Sequence, residues 1–234
     1  MGESSPLVHN GAVNDGSAAG GTGGDRSPSG LQSIGLWLMA VGILLVGYSV
    51  WETWGTDLLA KYQQHETVDD LLDAWRDPAS PVPDGAVALL RVPAFGDDFV
   101  VPVIDGITED DLARGVGHYP QTAGPGEVGN FAVAGHRVTH GEPFRHFPRL
   151  EPGDTVEVET ADAIYTYALD NDAGHLVVQP YDGWVLEPVP PGTRYDEGDD
   201  EPGQAIITLT TCGALVHTSD RMVAFGHLVS TDDK

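Results

Sequence analysis

The chain has one cysteine, Cys212, in 234 residues, and only 11 lysines and arginines against 36 aspartates and glutamates. A single cysteine excludes an intrachain disulfide framework and any multi-cysteine metal or iron–sulfur cage built by one chain. The formal net charge of −25 argues against nucleic-acid binding, which depends on lysine and arginine neutralising phosphates. We therefore expect no nucleic-acid partner, and the length suits one ordinary domain with additional segments.

The N-terminal part of the chain has two segments of contrasting composition. Residues 1–30 are rich in Gly, Ser, Ala and Asn, a composition that buries too little surface to offset the entropy of ordering and predicts a disordered tail. The run from Ser27 to Trp51 carries no charge and is apolar from Leu31 onward. A helix of about 20–25 residues reaches about 30–37 Å, enough for a hydrocarbon core of about 30 Å. Residues 31–51 are therefore predicted to be a transmembrane anchor.

Two alternatives exist for this apolar run: a buried core helix and a cleavable signal peptide. The run is long for a secretory segment, and no basic region precedes it. Its flanking basic residues are Arg26 on one side and Lys61 on the other. The positive-inside rule therefore does not determine the orientation of the anchor.

The segment after the anchor has a helical pattern that ends at a group of prolines. Apolar residues recur at helical spacing between Gly55 and Arg76, and Pro78, Pro81 and Pro83 then stop the pattern. Residues 52–84 are predicted to form a helical stalk and a Pro-rich linker.

From Gly85 onward the sequence changes to short alternating runs rich in Val, Ile, Thr, Tyr and Phe, separated by Pro, Gly and Asp. Seven or eight such strands over about 145 residues predict an all-β barrel or sandwich over residues 85–234. The strands that we expect are 86–92, 99–104, 130–134, 155–160, 163–169, 205–211 and 222–229.

Cys212 and Arg221 lie at the ends of two of these predicted strands. If the strands pair as a hairpin, the two residues face each other across the mouth of the loop. A guanidinium there favours a thiolate or an oxyanion that forms beside it. The alternative is a small buried cysteine beside an ordinary surface arginine, and this segment alone does not decide between the two.

His136 ends another alternating strand, directly after Gly135. A cysteine and a histidine at strand ends on one rim of a barrel supply a nucleophile and a proton carrier. A lone histidine is otherwise a solvent-facing or hydrogen-bonded residue, which is the usual outcome.

Metal binding is the competing interpretation of the histidines and acidic residues. His136 and His140 are four residues apart, with His146 following, but a zinc pair at that spacing needs a helix and the nearby glycines and proline favour a loop. The acidic run at 196–201 lacks the spacing of an EF-hand loop, so a solvated surface is favoured over calcium binding. We expect no metal and no other cofactor.

At these residues the sequence resembles the sortases, the membrane-anchored cysteine transpeptidases of Gram-positive cell envelopes. Three motifs carry the resemblance in the family's order, over about residues 85–230. They are the segment from Gly117 to Asn130 leading into Ala134-Gly-His136-Arg, the run Thr208-Leu-Thr-Thr-Cys212, and Arg221. The resemblance implies an eight-stranded sortase-type β-barrel with short helices, preceded by the N-terminal transmembrane helix and the stalk.

The resemblance also implies a catalytic site made of His136, Cys212 and Arg221. Substrate contacts are expected at Tyr119, Thr210 and Thr211. The sequence His118-Tyr119-Pro before the catalytic histidine resembles class E sortases of actinobacteria. These are associated with a Leu-Ala-x-Thr-Gly signal, and a tyrosine at the position of Tyr119 helps to select Ala over Pro. One departure is Gly213-Ala-Leu, where family members often have Asn-Pro followed by a basic residue.

By this resemblance the chain cleaves a Leu-Ala/Pro-x-Thr-Gly sorting signal between Thr and Gly through a thioester on the cysteine. It then transfers the protein to the amine of a cell-wall precursor. The implied partners are surface proteins with a C-terminal sorting signal, a peptidoglycan precursor amine and the cell membrane. The chain would cross that membrane once, with a cytoplasmic N-terminus and an extracytoplasmic catalytic domain.

Two other functions remain as alternatives. One is a membrane-tethered, non-catalytic β-barrel that binds an envelope component. The other is a different cysteine enzyme of the envelope, an L,D-transpeptidase or an NlpC/P60-like peptidase. The order of His136 before Cys212 and their wide separation argue against this second alternative.

Overall fold

The computed structural model describes residues 30–51, 56–77, 79–195, 203–212 and 220–234, but not the side chains of residues 30–32, 49, 50, 56, 57 and 212. The predicted tail apart from Gly30, the acidic run at 196–201 and the segment 213–219 after Cys212 lie outside the described residues. The chain separates between Leu45 and Val46 into two compact units.

Helix α1 (Gly30–Val50) coincides with the apolar run. Large apolar side chains are exposed along it from Ile34 to Tyr48. In the described part of the chain, no helix is both long enough and apolar enough to cross a membrane.

Helix α2 (Thr56–Arg76) lies where the sequence predicts a stalk helix. One face of it is buried: Val68 and Leu71 pack with Ala86, Leu89 and Ile104 of the following strands. Because burying apolar side chains removes them from water, this face fastens α2 to the outside of the sheet. In the structure the helix is therefore packed against the β domain.

The described residues of the β domain form nine strands and a third helix, α3 (Glu109–Arg114). The seven strands predicted from the sequence are all present, and their ends differ from the predicted ones by no more than four residues. Two further strands are too short to show an alternating pattern. The strands are β1 (Ala86–Arg91), β2 (Val100–Asp105), β3 (Val116–His118), β4 (Gly129–Gly135), β5 (Thr155–Glu159), β6 (Ala163–Leu169), β7 (Val177–Val178), β8 (Ala205–Cys212) and β9 (Arg221–Asp233).

Eight of these strands close into a barrel in the order β6-β5-β1-β2-β3-β4-β8-β9, because β9 also pairs with β6. The short strand β7 lies outside the ring and pairs with the start of β9. All neighbours are antiparallel except β2–β3 and β4–β8, which are parallel. The predicted eight-stranded barrel is thus confirmed.

Alternation along the strands separates an interior core from an outer apolar cluster. On β8, Ile207 and Leu209 belong to the interior core, whereas Ile206 packs in the outer cluster with Val223 and Phe225 of β9. Side chains from the connection between β7 and β8 complete the outer cluster, among them Val185 and Tyr195. This connection therefore covers the outer face of β8 and β9.

Asp170, the first residue after β6, holds Arg194 and Tyr195 of that connection in place. Its carboxylate accepts hydrogen bonds from Arg194 (Nη1, 2.5 Å), from the hydroxyl of Tyr195 and from His227 of β9 (Nδ1, 3.0 Å). Burial opposes ionisation of Asp170, but these hydrogen bonds outweigh it and hold the pKa of the carboxyl below its ordinary value.

The lowered pKa of Asp170 predicts a pH-dependent contribution to stability. The contribution is present above the pKa of an unfolded aspartate, about 3.9, and is lost as the pH falls through the lower pKa of the folded state. We expect Asp170→Asn to cost about 1–3 kcal/mol at pH 7, since charge-assisted hydrogen bonds are lost. In thermal unfolding, the difference in Tm between Asp170→Asn and wild type should disappear below a pH of about 4. The exposed Asp97→Asn is the control. A Tm difference between Asp170→Asn and wild type that persists at low pH would contradict this account.

Candidate active site

The parallel pairing of β4 with β8 brings two distant parts of the chain together. Its register runs from Gly129 beside Ala205 to Gly135 beside Thr211. The next residue on each strand is the histidine or the cysteine singled out from the sequence. His136 and Cys212 therefore lie at the same edge of the barrel, on strands about 4.8 Å apart.

The antiparallel pairing of β8 with β9 adds the arginine. Cys212 lies directly opposite Arg221, in the last pair of the register. The hairpin predicted from the sequence is present in the structure. His136 follows β4, Cys212 ends β8 and Arg221 begins β9. The three residues thus lie at one edge of the barrel, on three adjacent strands.

The His136 imidazole is half-buried, and its Nε2 has no hydrogen-bond partner among the described residues. Its ring stacks on that of His140, with centroids 4.8 Å apart and planes inclined by 28°. Burial, followed by the charge of His140, lowers the pKa of His136 below its ordinary value, and the charge of Arg221 acts in the same direction. Glu109 of α3 opposes this shift. The neutral imidazole therefore predominates near pH 7.

Arg221 is half-buried at the start of β9. A guanidinium keeps its charge at any physiological pH and presents several donors in a planar fork. Its effect on the pKa of His136 shows that the two side chains lie within electrostatic reach of each other. The guanidinium can therefore stabilise negative charge that develops at the edge where Cys212 lies.

The two threonines before Cys212 are buried, and their hydroxyls donate to carbonyls of β4. Thr210 Oγ1 donates to Val133 O at 3.2 Å, and Thr211 Oγ1 donates to Gly135 O at 2.7 Å. These bonds tie β8 to β4 immediately before His136. A contact of either threonine with a substrate stays a prediction.

Tyr119 lies beside the same strands. Its backbone N–H donates to Ala132 O at 3.0 Å, and its hydroxyl oxygen lies 3.5 Å from Thr210 Oγ1. The preceding His118 is buried, with Nδ1 3.0 Å from the Asp105 carboxylate and Nε2 3.1 Å from Ala123 O. His118 therefore fastens the turn that carries Tyr119, whose contact with a substrate stays a prediction.

Asn130, at the start of β4 and so at the opposite end of that strand from His136, has a structural role that sequence reasoning did not assign. Its Nδ2 donates to Val185 O and Glu187 O, both at 3.0 Å, and its Oδ1 accepts from Thr208 Oγ1 at 2.7 Å. These bonds join β4, β8 and the short 3-10 helix Gly183–Leu186. The signal available in the sequence was the position of Asn130 at the start of the strand that ends in His136.

The described positions of His136, His140 and His146 bear on the metal interpretation. Within the residues that the structure describes, no group of three or more His, Cys, Asp or Glu could hold a metal ion. The His140 ring stacks on His136, whereas the ring of His146 lies against Phe95, with centroids 6.2 Å apart.

Comparison with known proteins identifies the family to which the chain belongs. The model of the Sortase domain matches residues 90–229, and the chain belongs to the sortase family. The predicted family, whose members are cysteine transpeptidases, is confirmed. Among its relatives is Sortase SrtE1 of Streptomyces coelicolor, which is 38% identical over 209 residues, covering 85% of this chain and 57% of that protein. The chain thus spans a little over half the length of that relative.

Solved structures indicate the class within the family. Sortase E of Streptomyces avermitilis shares 37% identity, with a TM-score of 0.57, over 64% of this chain and 93% of that one. Sortase E1 of Streptomyces coelicolor with a tripeptide in the active site shares 37% identity, with a TM-score of 0.53, over 63% and 90% of the two chains. The chain is therefore class E-like.

The buried network of Asn130 predicts a graded loss of stability. Asn130→Ala leaves two carbonyls and the Thr208 hydroxyl without their partner, so we expect a loss of about 2–3 kcal/mol in the free energy of unfolding. Thr208→Val removes one donor only and should cost about 1 kcal/mol. Urea unfolding followed by tryptophan fluorescence measures both. Equal losses for the two variants would show that the amide does not act as the shared partner.

Proposed function

We propose that this chain is a sortase that cleaves a Leu-Ala/Pro-x-Thr-Gly sorting signal between Thr and Gly through a thioester on Cys212. The proposal is carried by one observation, the placement of His136, Cys212 and Arg221 at the ends of three adjacent strands. In this proposal the cysteine is the nucleophile, the histidine moves the proton and the arginine stabilises the oxyanion.

The acylation step follows from these roles. The Cys212 thiolate attacks the carbonyl carbon of the signal's threonine, and Arg221 donates hydrogen bonds to the oxyanion of the tetrahedral intermediate. The carbon–nitrogen bond to glycine then breaks as the His136 imidazolium gives its proton to the departing amine. The products are a thioester on Cys212 and a peptide with a free N-terminal glycine.

The second step transfers the bound protein to an acceptor. The amine of a peptidoglycan precursor attacks the thioester carbonyl, an amide bond forms and the thiolate leaves. His136, now neutral, takes the proton that the attacking amine loses. The partners of this reaction are surface proteins with a C-terminal sorting signal and the precursor amine.

The protonation states that this mechanism needs are rare in the resting enzyme. With reference pKa values of about 8.5 for Cys and 6.5 for His, the thiolate–imidazolium pair is roughly 1% of molecules near pH 7.5. The lowered pKa of His136 makes the imidazolium rarer still before substrate binds. We therefore propose a slow enzyme whose active fraction increases when substrate or the thiolate stabilises the charged ring.

We place substrate selection at Tyr119, with Thr210 and Thr211 supporting the adjacent strand. The closeness of the Tyr119 hydroxyl to Thr210, two residues before Cys212, supports this assignment. A tripeptide occupies the active site of the related sortase E1, which supports a peptide substrate here. In this proposal Tyr119 favours Ala over Pro at the second position of the signal.

Three substitutions test the catalytic assignment. We expect Cys212→Ala and His136→Ala to abolish cleavage of paired Leu-Ala-x-Thr-Gly and Leu-Pro-x-Thr-Gly peptides by the full chain. Arg221→Ala should lower kcat by about 10²–10³, because an oxyanion donor is lost, while circular dichroism stays that of a folded barrel. The exposed Arg76→Ala is the matched control.

Full activity of Cys212→Ala would end the enzymatic proposal. In that case the non-catalytic barrel that binds an envelope component becomes the better account. Mass spectrometry after treatment with a methanethiosulfonate reagent separates the two, since a nucleophilic thiol in an open groove is labelled and a sealed one is not.

We also propose that residues 31–51 anchor the chain in the cell membrane as a single span, with a cytoplasmic N-terminus and an extracytoplasmic catalytic domain. The uncharged run from Ser27 to Trp51 and the exposed apolar side chains of α1 support this proposal.

The anchor predicts fractionation with membranes. The full chain expressed in a Gram-positive host should stay in the membrane pellet after alkaline carbonate extraction, and protease added to protoplasts should digest the barrel. Replacing Leu38 and Leu44 with lysines, at about 3 kcal/mol for each charge near a helix centre, should release the chain from the pellet. A wild-type chain extracted by carbonate would overturn the anchor.

A further inference from the structure

The loop after His136, here called the histidine loop (residues 136–144), has an unusual backbone. His140, Gly141 and Glu142 have φ angles of 53°, 82° and 53°, three consecutive residues in the left-handed region. Residues other than glycine rarely adopt this conformation, and it persists only where the surroundings hold it. Two internal bonds, Glu142 N to Thr139 O and Phe144 N to His136 O, close the loop around the strained residues.

One side chain of α2 reaches the strained part of this loop. Gln64 is only 4% exposed, and its Nε2 donates to His140 O at 3.0 Å and to Ala113 O of α3 at 3.4 Å. The contact depends on the glycine: a Cβ on Gly141 would lie 2.9 Å from Gln64 Oε1. The amide of Gln64 therefore joins α2, α3 and the histidine loop at one buried point.

His140 connects the part of the loop held by Gln64 to His136. Its ring stacks on His136, and its Nδ1 is buried without a hydrogen-bond partner among the described residues. A ring that makes no hydrogen bond through that nitrogen contributes by packing. Because Gln64 holds its backbone carbonyl, His140 packs in a fixed position against one face of the His136 imidazole.

We propose that Gln64 is a positioning residue for catalysis, acting through His140 to hold the His136 ring in place. This inference rests on the proposed catalytic role of His136. It makes α2 part of the active-site framework, because the helix supplies the amide that keeps the histidine loop in its strained conformation.

The electrostatics of His136 provide a readout of this constraint. Among the residues whose side chains the structure describes, the charged or titratable groups that act on it are His140 of the loop, Glu109 of α3 and Arg221 of β9, and burial is the largest cause of its lowered pKa. Releasing the loop exposes the ring and moves the charge of His140 away. Both changes raise the pKa of His136 toward the ordinary histidine value.

The test compares Gln64→Met with Gln63→Met in the full chain in detergent micelles. Methionine keeps the length of Gln64 but lacks both donors, whereas Gln63 is the exposed neighbour on the same helix. NMR titration of ¹³C-labelled histidine, with His136→Gln to assign the signal, measures the pKa of His136. Gln64→Met should raise this pKa and lower kcat by about ten- to hundredfold, with a smaller change in KM, because misplacement of the ring outweighs the larger imidazolium fraction. Gln63→Met should match wild type.

Substitutions in the loop test the same constraint from its other side. His140→Phe keeps a flat ring on His136 and should retain most of the turnover, whereas His140→Ala should behave like Gln64→Met. Gly141→Ala displaces Gln64 from the loop side and should also raise the pKa of His136, which gives a result if Gln64→Met does not fold.

The inference fails if Gln64→Met or Gly141→Ala is folded and has the wild-type His136 pKa and kcat. That failure is distinct from failure of the proposed function, in which the wild-type chain itself does not cleave the peptides. The titration reports on positioning even then, because it does not require turnover.

Discussion

The parallel pairing of β4 with β8 is the constraint on which the rest of the site depends. Strand pairing fixes the register of a whole strand, so seven paired positions bring His136 and Cys212 to the same edge of the barrel. The hydroxyls of Thr210 and Thr211 reinforce this pairing next to the site. The antiparallel pairing of β9 with β8 then places Arg221 opposite Cys212. A slip of one residue in the parallel pair would separate the histidine from the cysteine and reverse the faces of the strand.

Around this pairing, buried polar groups hold the irregular segments. Asn130 holds the 3-10 helix Gly183–Leu186, Asp170 holds Arg194 and Tyr195, and Gln64 holds the histidine loop. In each case a side chain satisfies groups that a loop leaves unpaired, where an apolar residue would leave them without a partner. These irregular segments thereby acquire fixed positions.

The sequence predicted the parts of this arrangement that have a local signature. Seven strands alternate clearly, so an all-β barrel or sandwich could be predicted from the pattern, and the resemblance to sortases specified the barrel. The positions of Cys212 and Arg221 at strand ends suggested that they would pair if the two strands formed a hairpin. The strands β3 and β7, of three and two residues, are too short for periodicity. The packing of α2, the contact of Gln64 with His140 O and the bonds of Asn130 join residues far apart in the chain. No local pattern encodes such contacts, because they depend on the three-dimensional path of the backbone.

The crossover between β4 and β8 has a consequence for folding. Strand pairs formed by distant segments close large loops, which slows folding relative to local contacts. His136 emerges from the ribosome long before Cys212 and Arg221, so a nascent chain carries the imidazole with neither the thiol nor the guanidinium. In the proposed mechanism the three residues therefore come together only when the last two strands pair beside β4. Until that pairing forms, the newly made thiol has neither the His136 ring nor the Arg221 guanidinium beside it.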